Sequence, residues 1–357
     1  MSMLQQALSA FALRGEVIYS GRYGHGHIND TYAVACDSGC MYILQRVNSN
    51  IFTKPWELME NVDAVTRFLS ERTDDPRGCL RLVPTHEGKP FFVDDEGGHW
   101  RVFPFIRDSI CLQKAESPED FRQSAVAFGQ FQRLLADFPA AQLHESIANF
   151  HNTVDRYRQF HEALSADCMG RAASCQVEID FFLAREAEAG AIVDRLADGR
   201  LPLRVTHNDT KLNNVMLDFD SRLPLCVIDL DTIMPGSALY DFGDSIRFGA
   251  ATAAEDEQDL SKVSMSLELF RIYTEGFLSA CGESLTATEI EMLPMGAKMM
   301  TLECGLRFLT DYLKGDTYFK TSREGQNLDR ARTQLTLVSD MEAKWEQMAQ
   351  IVKEAQA

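Results

Sequence analysis

The amino-acid sequence predicts an α+β protein: a small antiparallel sheet in the N-terminal part and a larger, mainly helical C-terminal part. Three observations carry that expectation. Strand-type alternation is concentrated between residues 16 and 103, helical periodicity dominates after Ser117, and a single hairpin pattern between residues 215 and 228 interrupts the helical sequence. At 357 residues the chain is long enough for two parts that each bury a core.

In chain order, a short opening helix leads to three strands around Val17-Ile18-Tyr19, Thr31-Tyr32-Ala33-Val34 and Met41-Tyr42-Ile43-Leu44. Between the first two runs Gly24-His25-Gly26-His27-Ile28-Asn29, a turn in which glycine lets the backbone come close to a ligand. A plain hairpin turn is the other reading of the same residues. Residues 55 to 69 carry Leu58, Val62, Val65 and Leu69 on one helical face after Pro55 near the start. Further strands are expected at Leu80-Arg81-Leu82-Val83, Pro90-Phe91-Phe92-Val93 and Trp100-Arg101-Val102-Phe103, after which Pro104-Phe105-Ile106 leaves the sheet. Ser117-Pro118-Glu119-Asp120 combines a cap residue, an N-terminal proline and early acids, and so starts a helix. A boundary near residue 107 therefore divides an N-terminal lobe, 1–107, from a C-terminal lobe, 108–357.

The composition excludes several function classes. A formal charge of −18, from 35 basic and 53 acidic residues, argues against nucleic acid and anionic membrane as partners. Nine cysteines scattered without CxxC pairs form neither a disulfide framework nor a zinc pattern, which fits a reducing, cytoplasmic setting. No apolar run is long enough to span a bilayer. The acidic run Glu255-Asp256-Glu257 reads as solvated surface.

The chemistry is concentrated in Val205-Thr206-His207-Asn208-Asp209-Thr210-Lys211-Leu212-Asn213-Asn214 and, beyond the hairpin, Val227-Ile228-Asp229. Taken singly, His207, Asp209 and Asn214 also suit turns and caps. The five-residue step from Asp209 to Asn214, closed by Asp229, matches what phosphoryl transfer needs: a carboxylate to take the proton of an attacking hydroxyl, and an amide and a carboxylate as oxygen ligands for Mg2+. In that setting Gly24 and Gly26 are candidates to lay backbone over the phosphates of ATP. Pro104, Phe105 and Ile106 then form a hinge against adenine. The third strand ends Gln45-Arg46 with no lysine. Arg46 is either a phosphate contact, partnered by Glu57 or Glu60, or a solvated strand end. Asp241-Phe242-Gly243 copies a known magnesium-binding triplet, yet it lies past Pro235-Gly236-Ser237, too far along to close a short hairpin from Asn214. Asp241 is therefore read, with His207, as structural support, bracing the loop or capping a following helix.

Together these segments resemble the aminoglycoside phosphotransferase and choline kinase superfamily, with the likeness running through residues 23–29, 42–45, 206–214, 228–236, 241–249 and 303–308. Within that superfamily the chain looks most like the kinases of N-acetylated hexosamines. The resemblance implies a two-lobed protein-kinase-like fold and transfer of the γ-phosphate of ATP to the anomeric hydroxyl of N-acetylglucosamine or N-acetylgalactosamine, with Mg2+ as cofactor. It makes Asp209 the catalytic base and Asn214 and Asp229 the magnesium ligands. His27, Arg307 and Tyr318, with Asp209, fall on its sugar-contacting positions, although Arg307 and Tyr318 would otherwise be ordinary residues around a C-terminal helix. The missing third-strand lysine departs from the broader pattern, while Gln45 is shared with the hexosamine kinases. The competing readings are a kinase of the same superfamily acting on choline, homoserine or an aminoglycoside, and a nucleotide-binding protein without catalysis. Intact Asp209, Asn214 and Asp229 argue against the last. A dinucleotide dehydrogenase is excluded because the strand, turn, helix and distal acid of its glycine motif are absent.

Overall fold

The computed structural model describes residues 2–24 and 28–356, so that the candidate site residues Gly26 and His27 lie outside the described residues. The chain divides into two compact units: Met1–Cys111 with Asp137–Ala148 and Val215–Pro235, and Leu112–Ala136 with Asn149–Asn214 and Gly236–Ala357. The first is built on an antiparallel sheet and the second is largely helical, as the α+β expectation requires.

In the first unit, Ser2 and Gln5 close a capping box on helix α1 (Met3–Ala10). Strands β1 (Val17–Arg22), β2 (Asp30–Cys36) and β3 (Met41–Arg46) follow, then helix α2 (Pro55–Ser70), and then β4 (Phe92–Val93) and β5 (His99–Pro104). They assemble in the order β1-β2-β3-β5-β4, antiparallel throughout. Proline opens α2, whose apolar stripe of Leu58, Val62, Val65 and Leu69 is buried. Ala7 and Phe11 pack with Val34, Leu44, Trp100 and Val102 on one side of the sheet.

The strand expected at Leu80–Val83 does not form. Only Val83 reaches the sheet, its N–H donating to the Val102 carbonyl at 2.9 Å, and Thr85, whose N–H would make the next bond, donates instead to the Lys89 carbonyl at 2.8 Å across a turn. The strand expected from Pro90 likewise shortens to Phe92–Val93. The later hairpin contributes a second sheet to this unit. Its arms Val215–Asp218 and Pro224–Val227 pair Val215 with Val227, and strand Ser109–Cys111 adds to the first arm.

In the second unit, Ser117 and Asp120 form the capping box of helix Pro118–Leu134. An aromatic core surrounds Phe242, whose ring stands edge-on to Phe270 and Phe277 at 5.9 and 5.5 Å. Helix Ala238–Gly249 lies so close to helix Leu293–Lys314 that a Cβ on Gly243 would run into the Gly296 carbonyl. The glycine of the Asp241-Phe242-Gly243 triplet thus has a packing reason to be glycine. The acidic run at 255–257 is not a bare solvated face: Glu255 accepts from Arg247 at 2.8 Å and Asp256 from Gln326 at 2.9 Å. Among the described residues no helix is long and apolar enough to cross a membrane, and no disulfide joins the cysteines.

Gly243→Ala is expected to destabilise the protein by about 1–3 kcal/mol through overpacking. Gly282, where the nearest atom to an added Cβ is 3.8 Å away, serves as the control: Gly282→Ala should be neutral or stabilising by up to about 1 kcal/mol. Urea denaturation of the two variants checks both.

Candidate active site

The loop after strand Arg204–Thr206 is held from below by one buried carboxylate. Asp241 Oδ2 accepts the His207 N–H at 3.0 Å and Gln132 Nε2 at 2.7 Å, and its Oδ1 accepts the Asn208 N–H at 2.8 Å. These bonds fix Asn208 in the left-handed region at φ 65°. Burial pushes the Asp241 carboxyl up, and His207 with the two loop amides works against that rise. The cap of helix Ala238–Gly249 is Ser237, so Asp241 braces the loop from inside that helix. His207 is itself fully buried, edge-on to Phe128 and Phe131, and its Nδ1 accepts the Asp209 N–H at 3.3 Å.

The next turn is clamped from the same helix. Thr210 donates its N–H to Asp244 at 3.1 Å and its hydroxyl to the Asp241 carbonyl at 2.7 Å, while its own carbonyl accepts from Ser245 at 2.9 Å. Asp244 is buried, yet its carboxyl stays below the ordinary range because Arg247, at 2.9 Å, and Lys211 offset the cost of burial. With its neighbours so committed, Asp209 is the acid the loop presents, its side chain 31% exposed. Lys211 Nζ lies 2.7 Å from Asp209 Oδ1. Asn214 Nδ2 donates to the Asp209 carbonyl at 2.8 Å and to Oδ2 at 3.1 Å, which leaves Asn214 Oδ1 as the amide atom able to serve a cation.

In the first unit, Asp229 is exposed and left-handed, at φ 59° and ψ 60°, where the chain leaves the hairpin. Two residues on, buried Asp231 meets Arg101 at 2.5 Å and accepts from Asn29 at 2.5 Å. Arg46 pairs with neither expected glutamate. Its partner is Asp94, at 3.8 Å, with Trp100 under the guanidinium, while Glu57 meets Lys54 and Glu60 meets His144. The turn from β4 to β5 brings Asp94 there, closer than α2 can bring its acids. Gly24 is left-handed at φ 80° with open space around an added Cβ. At the end of β5, Pro104 pairs with Tyr42, Phe105 donates its N–H to Met41 at 2.9 Å, and the Ile106 carbonyl accepts from Ser109 at 2.7 Å.

Arg307 and Tyr318 come together in the second unit, 3.4 Å apart, on a cavity of about 260 Å³ lined also by Arg156, Gln159, Lys314 and Thr317. Phe150 and Phe319 flank the Arg307 guanidinium at 5.5 and 5.4 Å. Arg156 donates to the Phe150 carbonyl at 2.7 Å, while its buried Nε has no partner. Burial and the neighbouring Arg307 charge hold the Arg156 pKa below its ordinary value. The acid on the cavity wall, Asp311, is committed to the amides of Tyr318 and Phe319 at 2.8 and 2.9 Å. Deeper, Glu303 accepts from His151 at 2.8 Å and Thr153 at 2.7 Å. Burial opposes ionisation of this carboxyl, but His151 and Arg307 keep its pKa low.

The sequence matches the Phosphotransferase enzyme family, APH, over residues 21–266. The chain belongs to that family. Solved structures share the fold at low identity. An aminoglycoside phosphotransferase from Alicyclobacillus acidocaldarius is 14% identical with a TM-score of 0.64, covering 98% of this chain and 96% of its own. A microcompartment-associated aminopropanol kinase is 16% identical with a TM-score of 0.60, over 97% and 98%. The amicoumacin kinase hAmiN, solved in complex with AMP-PNP, Ca2+ and Ami, is 13% identical with a TM-score of 0.58, over 96% and 92%. These likenesses place the family's kinase-like fold on the chain: an antiparallel sheet region followed by a larger helical part.

Within the second unit, His207, Asp209, Asn214 and Asp241 thus form one network, and Arg307 and Tyr318 form one cavity. In the first unit, Arg46 and Pro104 end strands of the sheet, Gly24 lies in the turn after β1, and Phe105 and Ile106 follow β5. Sequence reasoning passed over Lys211, Asp244 and Arg156 in the second unit and Arg101 and Asp231 in the first. Lys211 had a signal, as the lysine inside the catalytic run, and so did Asp231, as a second acid after Asp229. Arg156 and Arg101 had none, since each is one arginine among many. Asp241→Ala removes the acceptor of two buried amides, at about 1–3 kcal/mol for each donor left unpaired. The expected outcome is a loss of several kcal/mol in urea denaturation, with Asp241→Asn losing less.

Proposed function

We propose that the chain is an ATP- and magnesium-dependent kinase that phosphorylates the anomeric hydroxyl of an N-acetylhexosamine, giving the sugar 1-phosphate. The observation that carries the choice of acceptor is the cavity around Arg307 and Tyr318. Its free donors come from Arg156, Arg307 and Lys314, its one acid is committed to backbone amides, and an unpaired guanidinium N–H faces burial. Such a wall repels an ammonium-bearing acceptor and favours one rich in hydroxyl and carbonyl oxygens, of which the acetamido carbonyl is the strongest acceptor.

In this reading Asp209 orients the acceptor hydroxyl and takes its proton as the new O–P bond forms in line with the breaking bond to ADP. The carboxylate lies 2.7 Å from Lys211, which supplies a positive charge beside the transferring group. Asn214 and Asp229 would hold the cation. One amide and one carboxylate suit Mg2+, which retains several waters. When bound, magnesium bridges phosphate oxygens and offsets their developing charge. The AMP-PNP and Ca2+ named with the amicoumacin kinase accord with a nucleotide and a divalent cation here. The first-unit residues Gly24, Gly26, Arg46 and 104–106 are proposed to bind the nucleotide, with the Phe105 carbonyl and Ile106 amide best able to meet adenine. His27 is proposed to join Arg307 and Tyr318 on the sugar.

A second reading, a kinase for an amino alcohol or aminoglycoside, draws on the names of the similar structures and on the acidic charge of the chain. Incubation with Mg-ATP and a panel of N-acetylhexosamines, hexoses, amino alcohols, choline and aminoglycosides, followed by phosphorus NMR, separates the two. The sugar reading expects an anomeric phosphate on an N-acetylhexosamine, and product only from the amine acceptors overturns it. Asp209→Asn is expected to lower kcat by about 10²–10⁴-fold while Mg-ATP affinity measured by calorimetry stays near that of the parent.

A further inference from the structure

The second unit pairs most of its inward-turned arginines with acids. Arg171 meets Asp316 at 2.7 Å, Arg185 meets Glu342 at 2.6 Å, Arg247 meets Asp244 at 2.9 Å and Arg332 meets Glu178 at 2.6 Å. Arg156 and Arg307 differ. Among the described residues neither makes an ion pair, although the chain carries a formal charge of −18 and both arginines line one small cavity with Lys314. Arg307 finds the Tyr318 hydroxyl at 3.4 Å, and Arg156 finds the Phe150 carbonyl while its buried Nε goes without a partner. Burial and the Arg307 charge both disfavour the charged form of Arg156, so the arrangement costs free energy that an anion would return.

The acids close by are turned to other work. Asp311 Oδ1 accepts the N–H groups of Thr317 at 3.0 Å and Tyr318 at 2.8 Å, and its Oδ2 accepts the Phe319 N–H and Asn327 Nδ2, each at 2.9 Å. With both oxygens doubly engaged, this carboxylate has no lone pair left for a guanidinium or for Lys314. Glu303 gives one oxygen to His151 and the other to Thr153. Its charge acts on both arginines through space, but it does not meet their N–H groups. The wall therefore offers fixed, forked donors and positive charge, the combination that suits a tetrahedral oxyanion.

We propose that this cavity is an oxyanion site, where inorganic phosphate binds to Arg156, Arg307 and Lys314 and excludes the acceptor. The exclusion rests on the sugar reading above; the anion site does not. A phosphate dianion brings the negative charge that a neutral acetamido carbonyl lacks, and the two ligands draw on the same donors. The consequence is a kinase that slows as free phosphate accumulates, most strongly when the acceptor is scarce.

Inorganic phosphate is titrated calorimetrically into the whole chain, with saturating Mg-AMP-PNP present to keep phosphate out of the nucleotide site. One phosphate per chain is expected. Arg156→Gln should weaken it by about 10–100-fold, the worth of a hydrogen bond to a charged group. Lys314→Gln should weaken it less, and because Lys314 is exposed this variant decides the matter if Arg156→Gln melts early. Arg158→Gln removes the same charge from an exposed position on the same helix and should bind phosphate as the parent does. A parent that takes up no phosphate overturns the proposal, as do Arg156→Gln and Lys314→Gln variants that bind it unchanged. A phosphorylated hexose that binds tighter than phosphate overturns the free anion as the ligand. In the kinase assay, phosphate should raise the acceptor KM in proportion to its concentration and leave kcat and the ATP KM unchanged. Phosphate that binds through Arg156 yet leaves the acceptor KM unmoved overturns the exclusion and removes the sugar from this cavity. If no acceptor is phosphorylated at all, the kinase reading falls while the phosphate titration still decides the anion site.

Discussion

The buried carboxylate of Asp241 is the constraint on which the loop after strand Arg204–Thr206 depends. It is neither a surface ion pair nor a cap: it is a charge taken out of water and stabilised by donors that the loop must supply. Because two of those donors are consecutive backbone amides, the carboxylate dictates the direction of the chain at His207 and Asn208. The left-handed turn at Asn208 and the placement of Asp209 on the exposed side follow from it. Gly243, two residues on, lets the same helix press against its neighbour, so the brace is anchored in a close helix–helix contact of the second unit. The loop presents Asp209, met by Lys211 and Asn214, on its exposed side while His207, Asn208 and Thr210 are committed to helix Ala238–Gly249.

The cavity around Arg307 and Tyr318 follows the opposite logic. There polar groups are left under-satisfied, and two guanidinium groups share a small space with one another's charge. In the loop, electrostatic need is met within the protein; in the cavity a buried guanidinium N–H of Arg156 is left without a partner. A chain with a formal charge of −18 that concentrates cations around one small hollow shows how little net charge says about a site. Family membership defines the chemistry as phosphotransfer, and the sign of this wall bears on the acceptor.

Much of this was legible in the sequence wherever a physical signal repeats along it. The stripe Leu58, Val62, Val65 and Leu69, the box at Ser117 and Asp120, and the hairpin ending before Asp229 each depend on neighbours a few residues away. The spacing that set Asp241 apart from a hairpin-closing acid was also local. What could not be read depends on distant partners. Arg46 turns to Asp94 rather than to α2, Arg101 meets Asp231 far along the chain, and Glu255 is claimed by Arg247. None of these pairs leaves a period in the sequence. Leu80–Val83 misled for a related reason: its residues suit a strand, but the Thr85 N–H that would continue the ladder is taken by the Lys89 carbonyl.

The first unit is assembled from three separate stretches of chain, and its most buried ion pair spans two of them. During synthesis, Arg101 emerges well before Asp231, and at typical elongation rates the interval is on the order of ten seconds. Until then a guanidinium destined for the interior has no counter-charge, and strand Ser109–Cys111 has no partner. The N-terminal sheet therefore cannot complete its fold as it leaves the ribosome, as a contiguous domain could, and must wait for the hairpin made after the catalytic loop. The ion pair of Arg101 and Asp231 thus bears on when in the life of the chain the N-terminal sheet becomes stable.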